Sequence, residues 1–398
     1  MSPPCGAADA AHAMPLNLGQ AANMAFTNAL PVTEDEDVAS GAIIVAKFLC
    51  NGSAAPGYGW PQFEKATLMF EISRRADFTE IPAIDITSLG TPGPQEAAIV
   101  EAIRDASENV GFFYIANSGV PPSDIRAIFA ACERFFSLPQ HERDRIFLVN
   151  STSFRGYLPI GALGQNTDRP RDLLESWNVG AELDPDDPDV RAGKPLHGGN
   201  QWPDLPGFRE EILHYYGLMD TLMRRLLQGF AMAAGLPRDG FDHWFHKALT
   251  QMRLLHYPAQ DRQLGDMIGA RAHRDFGFFT ILLQDKVGGL EVSNSNSEWV
   301  VAPPVEGTFV VNVAEMLKRV TNGRFESALH RVINRYGTER YSVPFFANPS
   351  YDAVLTPLPH FVDAENQSDA GGPYHVGQEM FNFYRNLWPS AGRASATA

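Results

Sequence analysis

The 398-residue chain reads as an α+β protein in which a helical N-terminal half packs against a C-terminal barrel of short strands. Three observations lead there. From Ile81 onward, two short β-type runs alternate with long stretches of helical periodicity. After Thr250 the pattern changes to eight short β-type runs broken by turn residues: QMRLLHYP, FFTILLQD, GGLEVSN, EWVVAP, GTFVVNV, SALHRVIN, RYSVPFFA and AVLTPLP. So many short strands with regular turns indicate a sandwich, jelly roll or barrel. Finally, a chain that is 44% hydrophobic and 20% charged is globular, and at this length it can bury a sizeable core.

The elements follow in order. Residues 1–76 are rich in Ala, Gly, Asn and Pro, carry the acidic patch Glu34–Asp35–Glu36–Asp37, and lack sustained periodicity. They read as an extension with little apolar surface to bury. Residues 77–249 form the helical N-terminal region, and residues 250–390 the barrel with a closing helix. IPAIDI is a strand candidate, and Gln95 to Asn109 is helical, with Ala98, Ile99, Ile103 and Ala106 on one side. GFFYIAN reads as a strand. Pro122 to Leu138 is again helical, with Ser123 and Asp124 as caps. The longest helical pattern, Leu205 to Ala234, is opened by Pro206 and closed by Gly235-Leu236-Pro237. A last helix runs from about Gly377 to Leu387.

Composition also excludes partners. A net charge of −15 argues against nucleic acid, because phosphate binding needs clustered Lys and Arg. Three cysteines without a CxxC suit a reducing compartment. No apolar run approaches the ~18 residues of a membrane span, and no signal-peptide pattern opens the chain, so a cytoplasmic protein is expected.

The chemistry-bearing segment is RAHRDFGFF. His273 and Asp275 are two residues apart, so on an extended chain they project to the same side. A second imidazole, His330, follows 57 residues after His273. Two His and one carboxylate make the facial triad that suits Fe(II) and leaves coordination positions open, whereas a structural zinc site closes with four protein ligands. A strand histidine is also commonly a hydrogen-bonded structural residue, so the triad needs support from its surroundings. Arg340 and Ser342 supply some. They share a face of a strand candidate and offer a guanidinium fork and a hydroxyl to a carboxylate. In QMRLLHYP the alternation puts Arg253, Leu255 and Tyr257 on one face. An inward Arg253 would be disfavoured unless an anion or a local carboxylate met it; a register reversed by one would turn His256 inward instead.

These residues resemble the iron(II)- and 2-oxoglutarate-dependent dioxygenases of the isopenicillin N synthase-like group. The resemblance spans about Ile81 to Pro389 and is strongest in HRDFGFFTILLQDKVGGLEV, EWVVAPPVEGTFVVNVAEMLKRVTNG and SALHRVINRYGTERYSVPFFANPS. IPAIDI, GFFYIANSGVP, FFSLPQHER, FRGYLP and ESWNVG…GGNQWP extend it through the N-terminal half. It implies a double-stranded β-helix (jelly-roll) core, Fe(II) on His273, Asp275 and His330, and 2-oxoglutarate on Arg340 and Ser342 with Tyr257 as helper. Arg253 is expected at the iron-bound end of 2-oxoglutarate or at an acidic group of the substrate. The resemblance further implies oxidation of a small organic molecule by O2, of the kind found in secondary metabolism, with release of succinate and CO2. Substrate-facing candidates are Phe276, Phe346, Asn348, Glu175 and Trp177. Three alternatives stay open: an isopenicillin N synthase-type oxidase whose Arg-x-Ser pair holds the substrate's own carboxylate, an ethylene-forming activity on 2-oxoglutarate, and a dead barrel serving as a binding protein. One departure stands out: Ala314-Glu315 occupies positions where the family usually has Gly-Asp.

Overall fold

A computed structural model describes residues 77–162, 172–259, 268–334, 337–362 and 372–388. The extension read over residues 1–76 lies outside the described residues. Strands β1 (Ala83–Asp85), β2 (Phe112–Ala116), β3 (Gly156–Leu158) and β4 (Glu175–Gly180) come from the N-terminal half. The C-terminal half adds β5 (Gln251–Tyr257), β6 (Ile268–His273), β7 (Phe279–Gln284), β8 (Leu290–Ser293), β9 (Trp299–Val301), β10 (Phe309–Val313), β11 (His330–Ile333) and β12 (Arg340–Ala347). A two-stranded ribbon, β13 (Val354–Leu355) with β14 (Tyr374–His375), follows.

These strands make two sheets. The larger has the order β1-β2-β10-β7-β12-β5-β4-β3, and the smaller β6-β11-β8-β9. Apart from the parallel β1–β2 pair at one edge, every pairing in them is antiparallel. This is the jelly-roll arrangement expected, with one refinement. The N-terminal half does not merely lean on the barrel: β1 and β2 extend the larger sheet at one edge, and β3 and β4 at the other.

Helices α1 (Pro94–Asn109), α2 (Pro122–Phe136) and α3 (Phe208–Ala233) cover the larger sheet, with α4 (Glu315–Val320) and α5 (Val376–Leu387) placed later in the chain. Each of the first three buries an apolar stripe in one core that also contains Phe113, Phe279, Ile281, Val311, Val343 and Phe345. Helix α2 begins one position earlier than its expected caps: Pro121 occupies the cap, Pro122 sits in the first turn, and neither Ser123 nor Asp124 caps. Proline there needs no N–H partner, so a side-chain cap is dispensable. At the end of α3, Gly235 turns left-handed at φ 79°, and Leu236 N–H reaches back to the Ala231 carbonyl, closing the helix where the Gly-Leu-Pro signal placed it. Among the described residues, no helix is long and apolar enough to cross a membrane.

Candidate metal centre and active site

The two imidazoles meet because β6 and β11 pair. His273 closes β6, His330 opens β11, and the two are direct cross-strand partners with ring centroids 4.3 Å apart. Asp275 follows β6 by two residues. Its Oδ1 lies 3.7 Å from His273 Nε2 and 3.8 Å from His330 Nε2. Both separations are below twice a metal–ligand bond of ~2.0–2.2 Å, so one ion can touch all three.

Their outer atoms are already committed, which leaves the facing atoms as ligands. His273 Nδ1 bonds the Arg271 carbonyl at 2.7 Å and His330 Nδ1 bonds the Ala328 carbonyl at 3.1 Å. A ring that donates from Nδ1 to a carbonyl keeps its Nε2 lone pair for a metal. Asp275 Oδ2 accepts from Thr280 Oγ1 at 2.5 Å and from Asn312 Nδ2 at 2.8 Å, leaving Oδ1 free to face the histidines. Electrostatics agree. Burial and the adjacent His273 push the His330 imidazole down to about 4, so it is neutral near pH 7. Burial penalises the Asp275 carboxylate, but the His330 and His273 imidazoles and the Thr280 and Asn312 hydrogen bonds outweigh that and hold it below the usual carboxylate range. The donor set therefore fits a divalent iron.

The turn bearing Asp275 is tied to α4 by three backbone hydrogen bonds and by the Arg274–Glu315 ion pair at 3.7 Å. Ala314 N–H donates to the Phe278 carbonyl, Glu315 N–H to that of Asp275 at 3.0 Å, and Met316 N–H to that of Gly277. Ala314-Glu315 is accommodated there because the hydrogen bonds to the turn are made by main-chain N–H groups, which any residue but proline supplies. A Cβ at Gly277 would run into Asn348 Oδ1, so any larger residue there would displace the Asn348 side chain from its place on the cavity wall.

On the larger sheet, Arg340 pairs with Tyr257 across β12 and β5, and the guanidinium lies 4.5 Å over the Tyr257 ring. Arg340 is 0% exposed, yet its bonds go to the Gly288 carbonyl (2.6 Å), Ser342 Oγ (3.0 Å) and Gln284 Oε1 (3.5 Å). Among the described residues no carboxylate lies within 4.0 Å of it. A buried guanidinium without a counter-ion is costly, so this one is arranged to meet an anion.

One cavity of about 450 Å³ between the two sheets unites these groups. It is lined by His273, Asp275 and His330 and by Arg340, Ser342 and Tyr257. Arg253, Phe276, Phe346 and Asn348 line it as well. Arg253, Leu255 and Tyr257 share its wall, whereas His256 points away, bonding Glu175 Oε1 at 2.8 Å and stacking on Tyr341.

Glu175 and Trp177 are not there, and the expectation for them is corrected. On β4 they alternate to the helical side of the sheet. Glu175 is enclosed by Arg143, Tyr157 and His256, and Trp177 packs among Phe135, Trp202 and Phe208 with its indole N–H on the Gln201 carbonyl. Ser176 and Asn178, which pair with Leu255 and Arg253, take the other face. The residues that the sequence reading missed are of two kinds. Thr280 and Asn312 carried a signal, each being a polar residue inside an apolar strand and hence a group that must find a partner. Phe383, Tyr384 and Leu387 reach the cavity from α5, and Asp172 and Leu174 from the segment before β4; nothing local in the sequence marks them.

Comparison with known proteins agrees with this geometry. Residues 81–205 match the family described as the N-terminal region of non-haem dioxygenases in morphine synthesis, and residues 249–349 match the 2OG-Fe(II) oxygenase superfamily. The 2-oxoglutarate-Fe(II) type oxidoreductase hxnY of Emericella nidulans is 34% identical over 73% of this chain and 85% of its own length. Clavatol oxidase claD of Penicillium crustosum is 36% identical over 72% of this chain and 91% of its own. Among solved structures, a full-length Neurospora crassa protein in complex with alpha-KG and thymine superposes with a TM-score of 0.69 at 26% identity, over 80% of this chain and 99% of that one. The chain belongs to the 2OG-Fe(II) oxygenase superfamily, and it is a dioxygenase that uses Fe(II), 2-oxoglutarate and O2.

Proposed function

We propose that His273 Nε2, Asp275 Oδ1 and His330 Nε2 hold Fe(II), and that Arg340 and Ser342, beside Tyr257, bind the distal carboxylate of 2-oxoglutarate. The organic substrate is a small molecule lying against Phe276, Phe346 and Asn348. The observation that carries this reading is the fully buried Arg340 side chain, without a carboxylate partner among the described residues, in the same cavity as the three donors. The relative named for clavatol and the Neurospora structure holding thymine support a small-molecule substrate.

When bound, iron with 2-oxoglutarate and O2 supplies the oxidising chemistry, releasing succinate and CO2. The chain's own residues position and exclude. The Arg271 and Ala328 carbonyls fix both imidazole rings, and Thr280 with Asn312 fix the carboxylate, so all three donors converge without reorganisation. Arg340, locked by Gly288, Ser342 and the Tyr257 ring, sets the pose of the co-substrate. The apolar wall keeps water from the reacting carbon. The test is succinate formation from 2-oxoglutarate under air with Fe(II), across a substrate panel, comparing wild type with Asp275→Ala. Equal rates in both would refute the ligand assignment.

A further inference from the structure

Four arginines stand on the cavity wall: Arg253, Arg271, Arg274 and Arg340. Their partners differ. Arg271 is paired with Asp172 at 2.9 Å. Arg274 lies 3.7 Å from Glu315 and 4.0 Å from Glu326. Arg340 is assigned above to the co-substrate. Arg253 alone among these four has neither: among the described residues no carboxylate lies within 4.0 Å of it. Its guanidinium donates to the neutral Gln251 Oε1 at 3.3 Å, and among the described residues its buried Nε has no hydrogen-bond partner. A guanidinium held in a cavity without such a partner is energetically disfavoured unless an anion meets it.

The anion it would meet is not 2-oxoglutarate's distal carboxylate. Tyr257, which pairs with Arg340, is four residues from Arg253 on β5, about 13 Å along the strand at ~3.3 Å per residue. The four C–C bonds of 2-oxoglutarate, each ~1.5 Å, span only about 5 Å. Arg253 also leans away from that end. Its guanidinium lies 5.0 Å over the Phe346 ring, and it is held beside Gln251 and Tyr384, whose hydroxyl bonds Gln251 Oε1 at 3.1 Å. The same cavity carries an aromatic pair: Phe276 stacks on Phe383 at 4.6 Å with 12° between planes, and Phe346 and Leu387 add apolar lining.

We infer that the organic substrate is a carboxylic acid with an apolar body, its carboxylate bound by Arg253 and its body lying along Phe276 and Phe383 so that the far carbons face the metal ligands. The fork of Arg253 selects the anion, and the aromatic pair accepts a flat or aliphatic chain. This rests on the proposed active site, and the test separates the two. Protein loaded with Mn(II) and 2-oxoglutarate is titrated calorimetrically with phenylacetate, cinnamate, naphthoate and octanoate, and with the primary amide of each. At least one acid binds roughly ten- to a hundred-fold more tightly than its amide in the wild type. Arg253→Met removes that preference while binding the amide and 2-oxoglutarate as before, and Arg253→Lys retains part of it. Equal binding of acids and amides by the wild type, no binding by any acid, or a preference that survives Arg253→Met would each overturn the inference. So would loss of 2-oxoglutarate affinity in both Arg253 variants, which would give this residue to the co-substrate or to the fold. Failure of the active-site reading itself would appear separately, as unchanged 2-oxoglutarate affinity in Arg340→Gln.

Discussion

Replacing Arg340 with Gln separates the cost of a buried charge from its use. The Arg340 side chain is 0% exposed and, among the described residues, its guanidinium bonds neutral acceptors only, so removing its charge relieves a desolvation penalty. Against that, the Gly288 carbonyl loses a donor at 2.6 Å, worth about 1 kcal/mol. The two effects oppose, and the apo protein should melt within a few degrees of wild type. Ligand binding behaves differently. Loss of a charge-assisted contact costs ~1.5–3 kcal/mol, a Kd for 2-oxoglutarate roughly ten- to a hundred-fold weaker. At a concentration of 100 times the wild-type Kd, 2-oxoglutarate stabilises the wild type by about 2.7 kcal/mol; with a hundred-fold weaker Kd the same concentration gives only ~0.4 kcal/mol. Thermal melts with Mn(II), with and without 2-oxoglutarate, read both numbers at once, and succinate release gives the matching KM. A variant that keeps the wild-type ligand-induced shift would show that Arg340 does not anchor 2-oxoglutarate. A variant whose apo form collapses would show that the charge serves the fold.

Three further outcomes follow from the same geometry. His273→Ala and Asp275→Ala should each abolish succinate formation while leaving the circular dichroism spectrum intact, since these side chains line a cavity; wild-type turnover at saturating Fe(II) in either would strike that residue from the ligand set. Thr280→Val is nearly isosteric but deletes the 2.5 Å hydrogen bond to Asp275 Oδ2, so metal affinity should fall about ten- to a hundred-fold with little change in melting temperature, and competition with a fluorescent chelator measures it. The third concerns acid stability. Burial disfavours the Glu175 carboxylate, but bonds from His256 and Tyr157 and the Arg143 guanidinium outweigh that, holding its carboxyl below the unfolded value of 4.5. Its contribution is therefore complete above pH ~4.5 and is lost as pH falls through the lower folded-state value. Glu175→Gln should flatten the decline of stability below pH ~4.5 in urea titrations followed by tryptophan fluorescence; an acid limb as steep as wild type would place the proton uptake elsewhere.

The sequence by itself determined what depends on neighbours along the chain. Periodicity located α1, α2, α3 and α5, and the apolar runs after Thr250 located β5 and β7 to β13, because burial of one face imposes a repeat of 3.6 or 2 residues on the side chains that face the core. The spacing of His273 and Asp275, and of Arg340 and Ser342, was legible for the same reason. On β5 the alternation grouped Arg253 with Leu255 and Tyr257 against His256 but left open which group faced inward, and the structure puts the first group on the cavity wall. On β4 the same reasoning had nothing to fix its phase. All six residues of that strand are buried; Glu175, Trp177 and Val179 alternate with Ser176, Asn178 and Gly180, but nothing within the strand says which set looks into the cavity, and the packing of α2 and α3 decided that Glu175 and Trp177 turn from it. Pairing across long stretches of chain was likewise a matter for the tertiary structure: His273 beside His330, Asn312 beneath Asp275, and α5 bringing Phe383 to Phe276. A hydrogen-bond register or a helix docking against a distant strand leaves no periodic trace in the segments it joins, because each segment satisfies its own local rule whichever partner it meets.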